Sequence, residues 1–127
     1  MTRALIGLAA AFFLAVLFMA AAPPEPRGFE LKGDVERGEA AFAKRCALCH
    51  GATGDGKGTL KTDPPARDFR TPGLLASRSD WEIYVVIRDG GTALGLSPKM
   101  LGWQKILTDQ EIRDTAAFVR TLARPGK

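Results

Sequence analysis

The sequence predicts a small all-α domain with three main helices, preceded by an N-terminal apolar helix. Two observations support this fold class. Signals for β-strands are nearly absent, and three segments combine helix-capping residues with apolar residues at helical spacing. Residues 33–127 are long enough for one small domain, and a domain of this size usually needs a bound group or another staple to be stable.

The N-terminal region has two interpretations. Residues 4–22 carry no charge and follow Arg3, so residues 1–22 are either a signal peptide or a transmembrane anchor. The apolar run exceeds the roughly 7–15 residues usual for a signal peptide, and Pro23 follows the small residues at a candidate cleavage point, which favours the anchor. Both interpretations deliver the rest of the chain to the periplasmic side of the cytoplasmic membrane. Residues 23–32 then begin with three prolines in four positions, which predicts a stiff spacer.

The first predicted helix is "DVERGEAAFAKRC", for which Asp34 is a suitable N-cap. Val35, Phe42 and Cys46 are expected on one face. Gly38 lies mid-helix, where glycine costs about 1 kcal/mol relative to alanine. We therefore expect another helix to approach closely at this glycine.

The other two helices begin with capping boxes. Ser79 and Glu82 open the second, which is expected to stop at Gly90, and Thr108 and Glu111 open the third. The third helix has an apolar stripe formed by Ile112, Ala116, Val119 and Ala123, widened by Phe118 and Leu122. Two long loops, 51–78 and 91–107, separate the helices, and loops of this length are usually functional or wrapped around a ligand.

The motif Cys46-x-x-Cys49-His50 contains both cysteines and the only histidine of the chain. A redox dithiol of this spacing would belong to a fold with a parallel sheet, which the sequence does not predict. A structural zinc site would need a fourth Cys or His ligand, or a carboxylate or second subunit in its place. C-x-x-C-H is also the direct signature of covalent haem attachment, in which both thiols form thioethers and the histidine coordinates iron. Haem attachment is the favoured interpretation, because it takes place outside the cytoplasm and the N-terminal segment is expected to export the domain.

The sixth iron ligand has several candidates, since no second histidine exists. They are a methionine, a lysine, the N-terminal amine or water. Met100 is the only methionine beyond the export segment, and it lies in the polar loop "GLSPKMLGW" just after Pro98. A thioether suits ferrous iron, so Met100 is the expected ligand, with simple packing of the side chain as the alternative.

Four stretches together resemble bacterial class I (mono-haem) cytochromes c over about residues 33–123: "CALCHGATGDGKG", "DPPARDF", "SPKMLGW" and "DQEIRDTAAFVRTL". The resemblance implies a small cytochrome c fold, with three main helices around one covalent haem. It also implies that the first and last helices cross closely, with Gly38 and Phe42 meeting Phe118. Leu101 stands where many relatives have proline, and Thr115 stands where many have a larger apolar residue.

The same resemblance suggests roles around the haem. A proline carbonyl is expected to accept a hydrogen bond from the ring of His50, and Pro65 is favoured over Pro64 for this role. Trp103 is expected to cover the haem edge. Trp81 either donates to a haem propionate or packs in the core. The implied cofactor-binding residues are Cys46, Cys49, His50, Met100, Pro65 and Trp103, with His50 and Met100 binding the iron.

The implied function is one-electron transfer in a respiratory or photosynthetic chain, without a catalytic residue or a small-molecule substrate. The alternatives are a fixed cytochrome subunit of a membrane redox complex, and a haem peroxidase or gas sensor. The expected partners are a redox donor and acceptor, guided by Lys57 and Lys99, with membrane association through the N-terminus. The chain has 18 basic and 14 acidic residues and no basic stripe, which argues against nucleic-acid binding.

Overall fold

A computed structural model describes residues 22–126, and all regular structure in this range is helical. This confirms the all-α fold class. The apolar residues 4–21 lie outside the described part. Within residues 22–126, no helix has both the length and the apolar character needed to cross a membrane. The elements are α1 (Val35–Ala41), a π-helical segment (Phe42–Cys46), α2 (Ala47–His50), α3 (Asp80–Asp89), a 3₁₀ turn (Gly91–Leu94) and α4 (Asp109–Thr121).

The first predicted helix is continuous but widens in its middle. The amide of Ala47 donates to the carbonyl of Phe42, five residues back, which is a π-helical bond. The side chain of Asp34 caps the helix as expected, accepting from the amide of Arg37 at 2.8 Å. Phe42 is buried, whereas Val35, expected on the same face, is 43% exposed. The widened turn leads into the Cys-x-x-Cys-His motif and ends at its first cysteine, Cys46.

Helices α1 and α4 cross in close contact at Gly38. A Cβ atom at this position would collide with the carbonyl oxygen of Asp114 and would lie 3.0 Å from the Cβ of Phe118. One turn further along, the rings of Phe42 and Phe118 are 5.2 Å apart. The predicted close approach at Gly38 is therefore confirmed. Any side chain there would push the two helices apart.

Thr115, noted in the sequence as a departure at this crossing, is 1% exposed. Its hydroxyl donates to the carbonyl of Glu111 at 2.7 Å, so the buried oxygen has a partner within its own helix. A polar side chain is accommodated here because that bond replaces the one that water would form.

A buried carboxylate joins the start of α1 to α4. The side chain of Asp114 is 3% exposed and accepts from the amide of Asp34 at 2.7 Å, from the guanidinium of Arg37 at 2.7 Å and from Gln110 at 2.8 Å. Burial by itself raises the pKa of Asp114. The hydrogen bonds from its three partners outweigh this and hold its pKa below the ordinary value.

The second and third predicted helices begin as expected. Both capping boxes are formed, Ser79 with Glu82 and Thr108 with Glu111, and Gly90 follows the last residue of α3. Helix α3 packs on α4 and contributes five of the buried apolar side chains, those of Trp81, Ile83, Tyr84, Val85 and Ile87. Arg120 of α4 donates to the side chain of Asp80 and to the carbonyls of Leu75 and Arg78, which lie in the loop before α3, each at 2.7 Å.

Residues 23–32, predicted as a spacer, pack against α3 and α4, and we call them the strap. The indole N–H of Trp81 donates to the carbonyl of Pro23 at 2.8 Å. Phe29 lies 4.9 Å from Trp81 and 5.4 Å from Tyr84, between ring centroids. Arg113 donates to the carbonyl of Glu30 at 2.9 Å. The chain therefore enters the domain as a fixed segment on its surface.

The same contacts decide the role of Trp81. Trp81 is 8% exposed and belongs to the apolar core, and the indole N–H, the only donor of its side chain, is bonded to the strap. The expectation of a bond to a haem propionate is wrong, because the donor is used elsewhere. The alternative expectation, core packing, is confirmed.

We expect Asp114→Asn to lower the free energy of unfolding at neutral pH by about 1–3 kcal/mol, since charge-assisted hydrogen bonds become neutral ones. The folded-state pKa of Asp114 lies below its ordinary value of 3.8. Its carboxylate therefore stabilises the fold fully above that value, and this contribution is lost as the pH falls through the folded-state pKa. Chemical denaturation at several pH values measures the difference, which should shrink in acid. Glu36→Gln, on the exposed side of α1, is the control. A difference that stays constant into acid would contradict this account.

Candidate functional site

The two cysteines lie where the π-helical segment passes into α2. Cys46 ends the π-helical segment, and Cys49 lies in the single turn of α2. Both thiols are free and half-buried. Burial, reinforced by the neighbouring Cys49, raises the pKa of Cys46 to about 11. Cys46 is therefore a neutral thiol at pH 7, and both cysteines lie on one short helical stretch, which suits attachment to two positions of one planar group.

His50 ends α2 and lies beside two aromatic rings, those of Phe42 and Phe69, whose own centroids are 6.4 Å apart. Phe69 stacks on its imidazole with centroids 4.5 Å apart and planes inclined by 21°, and Phe42 lies 6.5 Å away. Burial lowers the pKa of His50 below its ordinary value, against a smaller opposing effect from the backbone of Arg67. The ring is therefore neutral at pH 7, which is the form that binds metals.

The Nδ1 atom of His50 is buried and has no partner of ordinary hydrogen-bond geometry within the described chain. Buried polar atoms without a partner are uncommon in native folds. A small adjustment of the backbone of Arg67, which already acts on the pKa of His50, would give this nitrogen its hydrogen-bond partner.

The loop after His50 folds back over the motif. The amides of Gly56, Gly58 and Leu60 donate to the carbonyls of His50, Cys49 and Leu48 at 2.8, 3.2 and 2.8 Å. These bonds satisfy carbonyls at the end of α2 that have no partner in the helix. A Cβ at Gly58 would collide with the carbonyl of Leu48, so the glycine-rich sequence lets the loop pass this closely.

The expected partner of the histidine, Pro65, is exposed. The carbonyl of the neighbouring Pro64 accepts from the hydroxyl of Thr62 at 2.8 Å. The backbone that acts on His50 is instead that of Arg67, two residues after Pro65. The loop thus brings the backbone of Arg67 next to the imidazole of His50, and a hydrogen bond from His50 to the carbonyl of Pro65 stays a prediction.

Met100 lies in the loop between the 3₁₀ turn and α4 and is half-buried. Its amide donates to the carbonyl of Ser97 at 3.2 Å, and its own carbonyl accepts from the amide of Gly91 at 2.8 Å. Trp103 packs partly buried against the apolar core, and its amide donates to the carbonyl of Ile87 at 2.9 Å. The roles of Met100 as iron ligand and Trp103 at the haem edge stay predictions.

Sequence reasoning did not single out two contacts of this site. Phe69 follows the "DPPARD" stretch, and an aromatic residue closing a loop next to the motif is the signal that could have pointed to its stacking on His50. The bond between Gly91 and Met100 has no sequence signal beyond the pair Gly90-Gly91, because it joins two parts of the chain through the backbone alone.

These donors fit a covalently attached haem. The motif offers two free thiols and a neutral imidazole, and an aromatic ring packs on that imidazole. A zinc site would require a cluster of ligands, and residues 22–126 bring no three His, Cys, Asp or Glu side chains together in such an arrangement.

Comparison with known proteins identifies the family. The family model described as "Cytochrome c" matches residues 35–123, which is most of the chain. A c-type haem with its iron is the cofactor that this family binds covalently. The fold, the attachment motif and the family model thus agree.

Two thiosulfate dehydrogenases are similar in sequence. The enzyme of Allochromatium vinosum is 39% identical over 98 residues, covering 76% of this chain and 34% of the enzyme. That of Psychrobacter arcticus is 31% identical over 110 residues, covering 82% of this chain and 32% of the enzyme. The chain thus spans about a third of the length of these relatives.

Two solved structures share the fold. KustC0563, a c-type cytochrome, has a TM-score of 0.53 at 25% identity, covering 68% of this chain and 98% of that one. A chain of the Kuenenia stuttgartiensis reducing HAO-like protein complex Kustc0457/Kustc0458 has a TM-score of 0.55 at 22% identity. The match covers 80% of this chain and 52% of that one, and it shows the fold alone.

We expect the double variant Cys46→Ser/Cys49→Ser to carry no covalent haem, because serine hydroxyls do not form the thioether bonds. Intact-mass measurement under denaturing conditions should show the bare polypeptide, whereas the wild type gains the mass of one haem. We also expect the variant to lose helical circular dichroism, since the haem completes the core of a small domain. Lys44→Ser, an exposed change in the same segment, is the control and should retain the haem. A double variant that still carries haem through denaturation would contradict the assignment.

Proposed function

We propose that this chain, which belongs to the cytochrome c family, carries single electrons through a haem attached to Cys46 and Cys49 and ligated by His50 and Met100. The observation that carries the proposal is the neutral, half-buried imidazole of His50 within the attachment motif. His50 and Met100 would supply a nitrogen and a thioether to the haem iron, a ligand pair that raises the reduction potential and leaves no position for a substrate, so the haem would supply one-electron exchange.

Each residue has a physical task in this proposal. The two cysteines would attach the haem to the motif, and the loop bonds to the carbonyls of Cys49 and His50 hold the motif itself. Phe42 and Phe69 keep water away from the imidazole. A rigid, dry site of this kind changes little between oxidation states, which favours fast electron exchange over bond-making chemistry. Attachment of this kind takes place outside the cytoplasm, so we place the domain on the periplasmic side.

Peroxidase or gas-sensor chemistry would need an open iron position and a side chain to assist there. The chain has a single histidine, which the proposal uses as the proximal ligand, so no distal histidine is present. Peroxidase or gas-sensor chemistry therefore remains only as one outcome of the carbon monoxide experiment below.

A second candidate is a fixed cytochrome subunit of a larger oxidoreductase. The thiosulfate dehydrogenases, to which this chain is similar over about a third of their length, support it, and they suggest oxidation of a sulfur compound as the reaction class. The strap supports it too: if the apolar N-terminal residues are retained as an anchor, the docked strap leaves little free tether for the domain to swing. Co-elution with a second chain after mild solubilisation would distinguish this candidate from a diffusing carrier.

The proposed docking surface surrounds the attachment motif. Leu48 and Leu60 are 54% and 51% exposed, and the amide of Leu60 bonds to the carbonyl of Leu48, so the two residues adjoin through the backbone. The exposed Lys57 lies in the same loop, and Lys99 directly precedes Met100. An apolar pair with nearby lysines fits a redox partner that has an acidic rim and an apolar centre.

We expect the ferrous protein to bind carbon monoxide slowly and the Met100→Ala variant to bind it rapidly, because the variant leaves the iron open. We also expect the variant to have a lower reduction potential, since His/Met ligation raises it. Flash or stopped-flow mixing with a visible spectrum measures the first, and redox titration the second. Leu101→Ala, the exposed neighbour, is the control. If the wild type binds carbon monoxide as fast as Met100→Ala, electron transfer is the wrong function and gas or peroxide chemistry takes its place.

We expect Lys57→Ala and Lys99→Ala to slow oxidation of the ferrous protein by ferricyanide about twofold at low salt, because they remove positive charge beside the haem. With a cationic cobalt oxidant the same variants should react faster, and both effects should fade at high salt. Lys32→Ala, the same charge change on the strap, is the control. Rates that are independent of salt for both oxidants would dispose of this docking surface.

A further inference from the structure

The Met100 loop rests on the end of α3 without any side chain between the two backbones. The amide of Gly91 donates to the carbonyl of Met100, and the amide of Leu96 donates back to the carbonyl of Gly91, both at 2.8 Å. The loop is thus attached at Met100 itself, through the main chain of the residue whose side chain the proposed function assigns to the iron.

The loop is attached again just after Met100. The amides of Trp103 and Gln104 donate to the carbonyls of Ile87 and Arg88 at 2.9 and 3.2 Å. These carbonyls belong to the last turn of α3, where a helix has no acceptor partners of its own. The backbone on both sides of the Met100 side chain is therefore fixed to one rigid helix end.

Three glycines make this contact possible, and we call Gly90, Gly91 and Gly102 the glycine clasp. A Cβ at Gly91 would collide with the carbonyl of Ser97 and lie 3.3 Å from the Cβ of Met100. A Cβ at Gly102 would lie 2.8 Å from the carbonyl oxygen of Arg88, and one at Gly90 would lie 2.9 Å from that of Met100. A methyl group at any of them would move the loop away from the helix.

We propose that the glycine clasp positions Met100, and that Gly91 is the positioning residue whose contact sets how long the sulfur stays on the iron. This inference rests on the proposed function, since it needs Met100 as a ligand. A loop held on both sides of Met100 has few alternative conformations, so the state in which the Met100 sulfur is away from the iron is sparsely populated. Loosening the loop raises that population without changing a ligand.

Gly91→Ala is the variant that tests the clasp. The backbone of Gly91 is not among the left-handed residues of the chain, so alanine is disturbed there only by the contact. In the ferrous holoprotein we expect carbon monoxide to bind about tenfold faster than in the wild type, because the open fraction rises by that factor. Gly126→Ala is the matched control and should stay within about twofold of the wild type, because Gly126 also lies outside the left-handed region but an added Cβ there would meet no atom nearer than 3.6 Å.

The outcomes separate the inference from the function on which it rests. If Gly91→Ala binds carbon monoxide at the wild-type rate while Met100→Ala binds it rapidly, the ligation stands and the clasp is overturned. If the wild type already binds as fast as Met100→Ala, both are overturned. If Gly91→Ala does not accumulate as holoprotein, amide hydrogen exchange in the wild-type ferrous protein decides: protection of Gly91 comparable to that within α3 supports the clasp, and exchange at the rate of an open loop overturns it.

Discussion

The contact between α1 and α4 at Gly38 is the constraint on which the arrangement of the site depends. The helix that crosses α4 continues through a widened turn directly into the attachment motif, so the crossing fixes the direction from which both cysteines and His50 are presented. Because the backbones touch at Gly38, a change of a few tenths of an ångström there would be transmitted along a stiff helix to the motif. Phe42 links the two, since its ring contacts Phe118 in the crossing and lies near His50 in the site.

The electrostatic part of the crossing complements its steric part. A buried carboxylate normally loses free energy when it leaves water, and Asp114 recovers it by accepting from a helix N-terminus, a guanidinium and an amide. The carboxylate of Asp114, a residue of α4, thus accepts from the amide of Asp34 and helps to cap the N-terminus of α1. Its geometry requires the crossing to be tight, because the amide of Asp34 and the side chain of Asp114 meet at 2.7 Å only when the helix backbones are in contact.

Around the cofactor position, main-chain contacts predominate over side-chain contacts. The loop after His50 bonds to three carbonyls of the motif, and the loop at Met100 bonds to the end of α3. Side chains would change these distances with each substitution, whereas main-chain bonds depend mainly on whether the backbones can approach. Glycines at both loops provide that approach. The polypeptide thereby holds the side chains of His50 and Met100, the two proposed iron ligands, on main-chain supports.

The sequence by itself determined the helical fold class, both capping boxes, the close approach at Gly38 and the attachment motif. Each of these is encoded within a few neighbouring residues, so the local pattern carries the physical cause. Only the tertiary structure decided which partners meet in three contacts: the indole of Trp81 with the carbonyl of Pro23, the carboxylate of Asp114 with the amide of Asp34, and the amide of Gly91 with the carbonyl of Met100. Partners in these contacts are far apart in sequence or meet through the backbone, whose donors and acceptors are the same at every residue. Which of them meet depends on how the whole chain packs, and a local pattern holds no record of that.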